Sequence, residues 1–188
     1  MTAAFGCLAL AILLLGIPTP ETRSANLDAS VQRGMLGTVF HNLGLWRVNI
    51  SVFALHYLLV SLFTVLPVIL KNNGGIDIVD HSFYYLVLLL VSFISMLPFI
   101  WLLDRQQYTR VILPVMVSLC LVTFFIMGSF ASYWWVLAGV FLFFMSFNVL
   151  EVALPSQLSK MAEAGTRGSA MGVYTTCQFL GIFACGLV

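Results

Sequence analysis

Charged side chains are scarce in this sequence. Asp, Glu, Lys and Arg make up 8% of its 188 residues, whereas an ordinary soluble domain carries about 25%. Hydrophobic residues make up 61%, which is more apolar surface than a soluble core of this length can hide. The shortage of charge therefore excludes an ordinary soluble domain, and the lack of a basic stripe excludes a nucleic-acid-binding surface.

Cysteine pairs and catalytic motifs are missing too. The four cysteines lie inside apolar runs, with no CxxC spacing and no cluster with histidine: Cys7, Cys120, Cys177 and Cys185. Neither GxSxG nor HExxH occurs, and these motifs carry a serine nucleophile and a zinc site respectively. We therefore expect no metal, no cofactor and no enzymatic activity, and we expect the cysteines to act as small buried hydrophobic residues.

Long hydrophobic runs are what the sequence does contain. Six can be read, at residues 2–17, 46–70, 83–103, 111–130, 134–156 and 169–188. About 20 apolar residues in a helix cross the 30 Å hydrocarbon core of a bilayer. The first run could instead be a signal peptide, but it has no Lys or Arg before it and no good cleavage site after it. The sequence thus predicts an all-α polytopic membrane protein of about six transmembrane helices.

The basic residues predict how these helices are oriented. Seven of the eight lie in or next to alternate loops, which predicts that they share one side of the membrane: Arg23, Arg33, Arg47, Arg105, Arg110, Lys160 and Arg167. Lys71 is the exception. Since loops rich in Lys and Arg stay in the cytoplasm, we expect the loops at 18–45, 104–110 and 157–168 to be cytoplasmic.

Glu151 is a carboxylate inside an apolar run. It lies 17 residues after Trp134, about 25 Å along a helix, in the cytoplasmic half of the span. A carboxylate in hydrocarbon must face a cavity or a partner, or take up a proton. Asn148 lies one turn earlier on the same face, and Pro155 weakens the hydrogen bond to the Glu151 carbonyl and predicts a kink. The alternative is that Glu151 is solvated among the cytoplasmic headgroups and only anchors the helix end.

His56 is the second ionisable group within an apolar run. Histidine can exchange a proton near neutral pH, which suits a relay, although a neutral histidine packed between helices is equally compatible with the sequence. Tyr57 begins a polar stripe on the same span that could line a cavity or join helices, and Pro67 predicts a bend near its outer end. Gln178 is the strongly polar side chain of the last span and could face a substrate path.

Several stretches resemble one family of bacterial permeases. FNVLEVALPSQLSKMAEAGTRGSAMGVYTTCQFLG, residues 147–181, is similar to the tenth and eleventh spans of the drug:proton antiporter group of the major facilitator superfamily, and within it to YajR-type transporters. HYLLVSLFTVLPVIL, residues 56–70, resembles the seventh span. LPFIWLLDRQQYTR, residues 97–110, resembles the loop signature of the second half, although its usual glycines are absent. Asp104, Arg105 and Arg110 match that signature by residue type.

This resemblance implies a domain organisation and a function. Residues 1–17 correspond to a sixth span, 18–45 to the central cytoplasmic loop, and 46–188 to a partial C-terminal bundle of spans seven to eleven. The expected function is proton-coupled export of small organic compounds across the bacterial inner membrane. Its partners are a small-molecule substrate, protons, the lipid bilayer and an N-terminal bundle of the same transporter.

The resemblance also implies roles for individual residues. Glu151 and His56 are the expected proton or cation coupling groups, and Asn148, Tyr57 and Gln178 the expected supporting or cavity-lining groups. Asp104, Arg105 and Arg110 form the expected charge latch on the inner face. The alternative function is a non-transporting membrane scaffold, or the remnant of a truncated permease.

Overall fold

The computed structural model describes most of the chain beyond the first 35 residues. The described residues are 36–74, 81–129, 132–163 and 165–187, together with 6, 7, 10–12 and 15. Most of the predicted span at 2–17 and most of the predicted loop at 18–45 lie outside the described residues, so the domain boundaries there stay predictions. Within the described residues the secondary structure is helical, without strands, which confirms the all-α class.

Six helices follow one another along the described chain. They are α1, Leu36–His41; α2, Leu43–Gly74; α3, His81–Asp104; α4, Gln106–Ser129; α5, Tyr133–Met161; and α6, Arg167–Gly186. Four of them contain segments long and apolar enough to cross a membrane: Leu43–Lys71, His81–Asp104, Tyr108–Ser129 and Tyr133–Met161. Helix α6 is less apolar, but its 20 residues extend about 30 Å, the thickness of the hydrocarbon core. The polytopic helical architecture is therefore confirmed.

Helix α5 is the centre of the bundle. It packs against α2, α3, α4 and α6, and its inward face includes Val136, Val140 and Phe143, which are fully buried. The peripheral helices α3 and α4 instead expose large apolar side chains, such as Phe83 and Phe125. In water this exposure would be costly, whereas lipid tails solvate such side chains, so these surfaces are suited to face the bilayer.

Helices α2 and α6 form the most extensive contact in the bundle. They run parallel, because His56 meets Gln178 and Ser61 meets Cys185 further along both helices. A Cβ atom added at Gly181 would overlap the backbone carbonyl oxygen of Phe53. The missing side chain at Gly181 therefore allows the two backbones to approach closely, as small residues do in membrane helix pairs.

Polar contacts between helices are few but specific. The Ser92 hydroxyl, on α3, donates to the Leu88 carbonyl of its own helix at 2.7 Å and to the Phe141 carbonyl of α5 at 3.3 Å. Ser61 Oγ lies 3.2 Å from Cys185 Sγ and links α2 to α6. The first contact joins α3 to α5, and the second joins α2 to α6.

Candidate functional site

Three polar side chains from three helices meet inside the bundle. His56 comes from α2, Glu151 from α5 and Gln178 from α6. Around them the bundle is apolar, and the Phe147 ring packs edge-on against the imidazole with 5.6 Å between centroids. All three were candidate residues from the sequence, and the structure brings them together. We call this group the His56 cluster.

The two ring nitrogens of His56 have different partners. Nδ1 lies 3.1 Å from the Val52 carbonyl oxygen, one turn earlier on α2, and Nε2 lies 2.8 Å from the Gln178 side-chain nitrogen. A carbonyl only accepts, so Nδ1 carries the proton and donates it. Nε2 then accepts from the Gln178 amide, which is how the side-chain amide is oriented here. The geometry is that of a neutral imidazole whose two nitrogens are both satisfied, at a residue only 5% exposed.

Glu151 lies at the edge of the cluster. Its Oε2 atom is 3.7 Å from His56 Nε2, which is within ion-pair range but too long for a hydrogen bond. The side chain as a whole is 38% exposed, yet Oε2 itself is buried without a hydrogen-bond partner among the described residues. The carboxylate therefore has one oxygen turned into the bundle and open to a new donor. Asn148 is half-buried one turn away, and its support of Glu151 stays a prediction.

Tyr174 and Asn49 are two buried polar residues that were not candidates from the sequence. Tyr174 is 4% exposed and Asn49 2% exposed. The Tyr174 hydroxyl and Asn49 Oδ1 both lack a hydrogen-bond partner within the described part of the chain. Tyr174 lies one turn before Gln178 on α6 and interacts electrostatically with Glu151. Asn49 lies seven residues before His56 on α2, which is about 10 Å along the helix.

The polar stripe on α2 is largely satisfied by its own helix. The Ser61 hydroxyl donates to the Tyr57 carbonyl at 2.9 Å, and the Thr64 hydroxyl donates to the Val60 carbonyl at 2.9 Å. Tyr57 itself is half-buried. Helix α2 continues through Pro67 and α5 through Pro155, so the roles of these two prolines as kinks stay predictions.

The three residues of the predicted charge latch lie near one end of the bundle. They do not meet as one group, because each has different surroundings. Asp104 ends α3, and Arg105 places its guanidinium over the Trp101 ring, 4.7 Å from the centroid. Asp104 and Arg110 line two different cavities, which have Lys160 and Gln157 in common. The structure therefore brings the latch residues to neighbouring positions, and their pairing stays a prediction.

The His56 cluster brings two titratable side chains and one amide together. It combines an imidazole, a carboxylate with an unpaired buried oxygen and an amide within hydrogen-bond distance of the imidazole. The described residues contain no cluster of three or more His, Cys, Asp or Glu side chains that could hold a metal ion.

Comparison with known proteins identifies the family. The model of the Major Facilitator Superfamily matches residues 1–185. The chain belongs to the major facilitator superfamily. The family resemblance read from residues 56–70, 97–110 and 147–181 is thereby confirmed.

Individual relatives of this superfamily member are transport proteins by name. The inner membrane transport protein YajR of Escherichia coli is 32% identical over 183 residues, which are 97% of this chain and 40% of that protein. Two uncharacterized transporters of Buchnera aphidicola are 33% identical over 139 residues and 29% identical over 154 residues, covering 73% and 80% of this chain. The chain spans between 35% and 40% of the length of these relatives.

Proposed function

We propose that this superfamily member forms part of a proton-coupled secondary transporter that exports small organic compounds across a bacterial inner membrane by alternating access. The observation that carries the proposal is the position of His56, buried between Gln178 and the unpaired oxygen of Glu151. The similarity to an inner membrane transport protein supports the location. The alternation of basic loops supports cytoplasmic placement of the end that holds Arg47, Arg110 and Arg167.

Protonation would reverse the hydrogen-bonding role of His56 Nε2. In the neutral ring this atom accepts from the Gln178 amide. Once protonated, both ring nitrogens are donors, so Nε2 can no longer accept from Gln178 and is attracted to Glu151 Oε2, 3.7 Å away. Protonation of His56 therefore replaces its contact with Gln178 on α6 by a contact with Glu151 on α5.

This exchange of partners is suited to coupling. Alternating access requires two arrangements of the helices that differ little in free energy, around a site near the middle of the membrane. The His56 cluster lies at the junction of α2, α5 and α6, so a change in its hydrogen bonds acts on all three helices at once. The proton taken up on one side is released on the other after the helices rearrange.

Transport by the purified protein tests the proposal. The protein, expressed from its complete gene and reconstituted in liposomes, is given a pH gradient, and transport of ethidium, a cationic drug probe, is followed by fluorescence. We expect Glu151→Gln and His56→Phe each to lower gradient-driven flux by about tenfold or more, because each removes a proton-carrying group. The matched control is Glu163→Gln, which neutralises an exposed carboxylate in the turn after α5 and should leave flux unchanged.

Two outcomes would contradict this function. Wild-type flux in Glu151→Gln would remove Glu151 from coupling. Flux that is independent of the pH gradient in the wild type would remove proton coupling altogether and favour a scaffold or a gradient-independent transporter.

A further inference from the structure

Four cationic side chains converge at one end of the bundle, away from the His56 cluster. Each comes from a different helix: Arg47 from α2, Arg110 from α4, Lys160 from α5 and Arg167 from α6. They line two adjoining cavities of about 610 and 940 Å³. Three residues belong to both cavities: Thr109, Arg110 and Gln157. We call these two cavities together the basic cavity.

The basic cavity lacks carboxylates of its own. Among its described lining residues there is no Asp or Glu, and no salt bridge between the four cations and an acid is found in the described part of the chain. Asp104 lines a neighbouring cavity that also includes Lys160, and Glu163 lines another beside Thr166. Like charges brought together repel one another, so this end of the bundle is suited to bind an anion.

An apolar groove continues from the basic cavity. A further cavity of about 220 Å³ extends between α2 and α4, and it includes Ile50, Leu58 and Leu121. Four residues line both the groove and the basic cavity: Ser51, Val117, Leu150 and Leu154. A cationic pocket at the membrane surface that joins an apolar groove within the bilayer matches a phosphate headgroup with an acyl chain.

We propose that the basic cavity binds the phosphate headgroup of an anionic phospholipid, with one acyl chain in the groove between α2 and α4. Each Lys or Arg near an anionic membrane surface contributes favourably to such binding. The lipid bridges the ends of four helices, so its binding stabilises the arrangement in which those ends converge. This site is separate from the His56 cluster, and it does not depend on proton coupling.

Lipid binding to the intact protein tests the site. The protein from its complete gene is titrated in detergent with phosphatidylglycerol or with phosphatidylcholine, and native mass spectrometry gives the apparent Kd of each lipid. We expect a preference for phosphatidylglycerol that weakens about thirtyfold in the double variant Arg110→Gln, Lys160→Gln, since two cations are lost. The matched control is Arg105→Gln, which removes an exposed cation at the same end that stacks on Trp101 and lies outside the basic cavity.

Two further experiments are needed. One distinguishes a loss of charge from a loss of folding, and the other distinguishes lipid binding from binding of soluble phosphate. The variant Arg110→Lys, Lys160→Arg keeps both charges, and we expect it to restore the preference to within about threefold of the wild type. Inorganic phosphate at millimolar concentration should not displace the lipid, because it cannot use the groove. An unchanged preference in the glutamine variant, or an equal loss in Arg105→Gln, would overturn the site. Displacement by inorganic phosphate would make soluble phosphate the ligand and overturn the lipid assignment.

Discussion

Tyr174 is a buried hydroxyl beside the His56 cluster. It has no hydrogen-bond partner among the described residues, and it interacts with Glu151, whose Oε2 is also unpaired. A buried hydroxyl without a partner costs about 1–3 kcal/mol. The position is therefore unfavourable for stability in this arrangement, and a role in another arrangement, as a donor to Glu151, would account for its presence.

Removing the Tyr174 hydroxyl should have opposite effects on stability and on transport. We expect Tyr174→Phe to raise the melting temperature of the purified protein, because the unpaired group is removed, and to slow gradient-driven ethidium flux, because Glu151 loses a nearby donor. Tyr85→Phe is the matched control, since the Tyr85 hydroxyl is also buried and unpaired but lies on α3. It should raise the melting temperature and leave flux unchanged. Equal flux in both variants would contradict a role for Tyr174.

Part of the His56 cluster could be read from the sequence. Glu151, His56 and Gln178 are conspicuous because strongly polar residues are rare within apolar runs. Their mutual contact could not be read, since His56 and Gln178 are separated by 122 positions and meet only through the packing of α2 on α6. Tyr174 carries no comparable signal, because tyrosine near the end of a span is usual in the headgroup region, and Asn49 lies only three residues into its predicted span.

At the scale of the helices, Gly181 and Gly139 differ in what surrounds them. An added Cβ at Gly181 would overlap the backbone of Phe53, whereas at Gly139 it would come within 2.8 Å of Met127 Cγ. Backbone atoms of a packed helix cannot move aside cheaply, but a methionine side chain can. The two glycines thus offer a matched pair of tests of helix packing.

We expect Gly181→Ala to destabilise the protein by about 1–3 kcal/mol, the usual cost of overpacking. Gly139→Ala should cost less than Gly181→Ala, since Met127 can change rotamer and about 1 kcal/mol of helix propensity is gained over glycine. Thermal unfolding of both variants in one detergent measures the difference. A Gly181→Ala variant with unchanged stability would show that the α2–α6 contact can widen without cost.

The sequence predicted the positions of the helices more accurately than the residues at which they begin and end. Segment 134–156 corresponds to α5, which continues to Met161, because a proline inside a helix removes one hydrogen bond without ending it. Segment 46–70 corresponds to α2, which begins at Leu43 and reaches Gly74. Hydrophobicity marks the part of a helix that suits the lipid, whereas the helix ends where its hydrogen bonds stop, and the two differ by one or two turns.

At the scale of the whole molecule, the four cations of the basic cavity show which helix ends lie together. The beginnings of α2, α4 and α6 and the end of α5 meet there. The alternation of basic loops predicts that these ends share the cytoplasmic side of the membrane, and that orientation stays a prediction. What charge alone could not give is the shape of the cavity, since that depends on how α2 and α4 pack on α5.

The contact between Ser61 and Cys185 offers a way to fasten two helices covalently. Ser61 Oγ lies 3.2 Å from Cys185 Sγ, so Ser61→Cys brings two thiols within reach of a disulfide. If α2 and α6 move as one rigid piece during transport, the oxidised variant should still transport ethidium, and mass spectrometry should identify the crosslinked peptides. Loss of flux on oxidation and recovery on reduction would show that the helices slide past each other. Flux that survives oxidation would show instead that the most extensive contact among the described helices stays fixed while the transporter changes conformation.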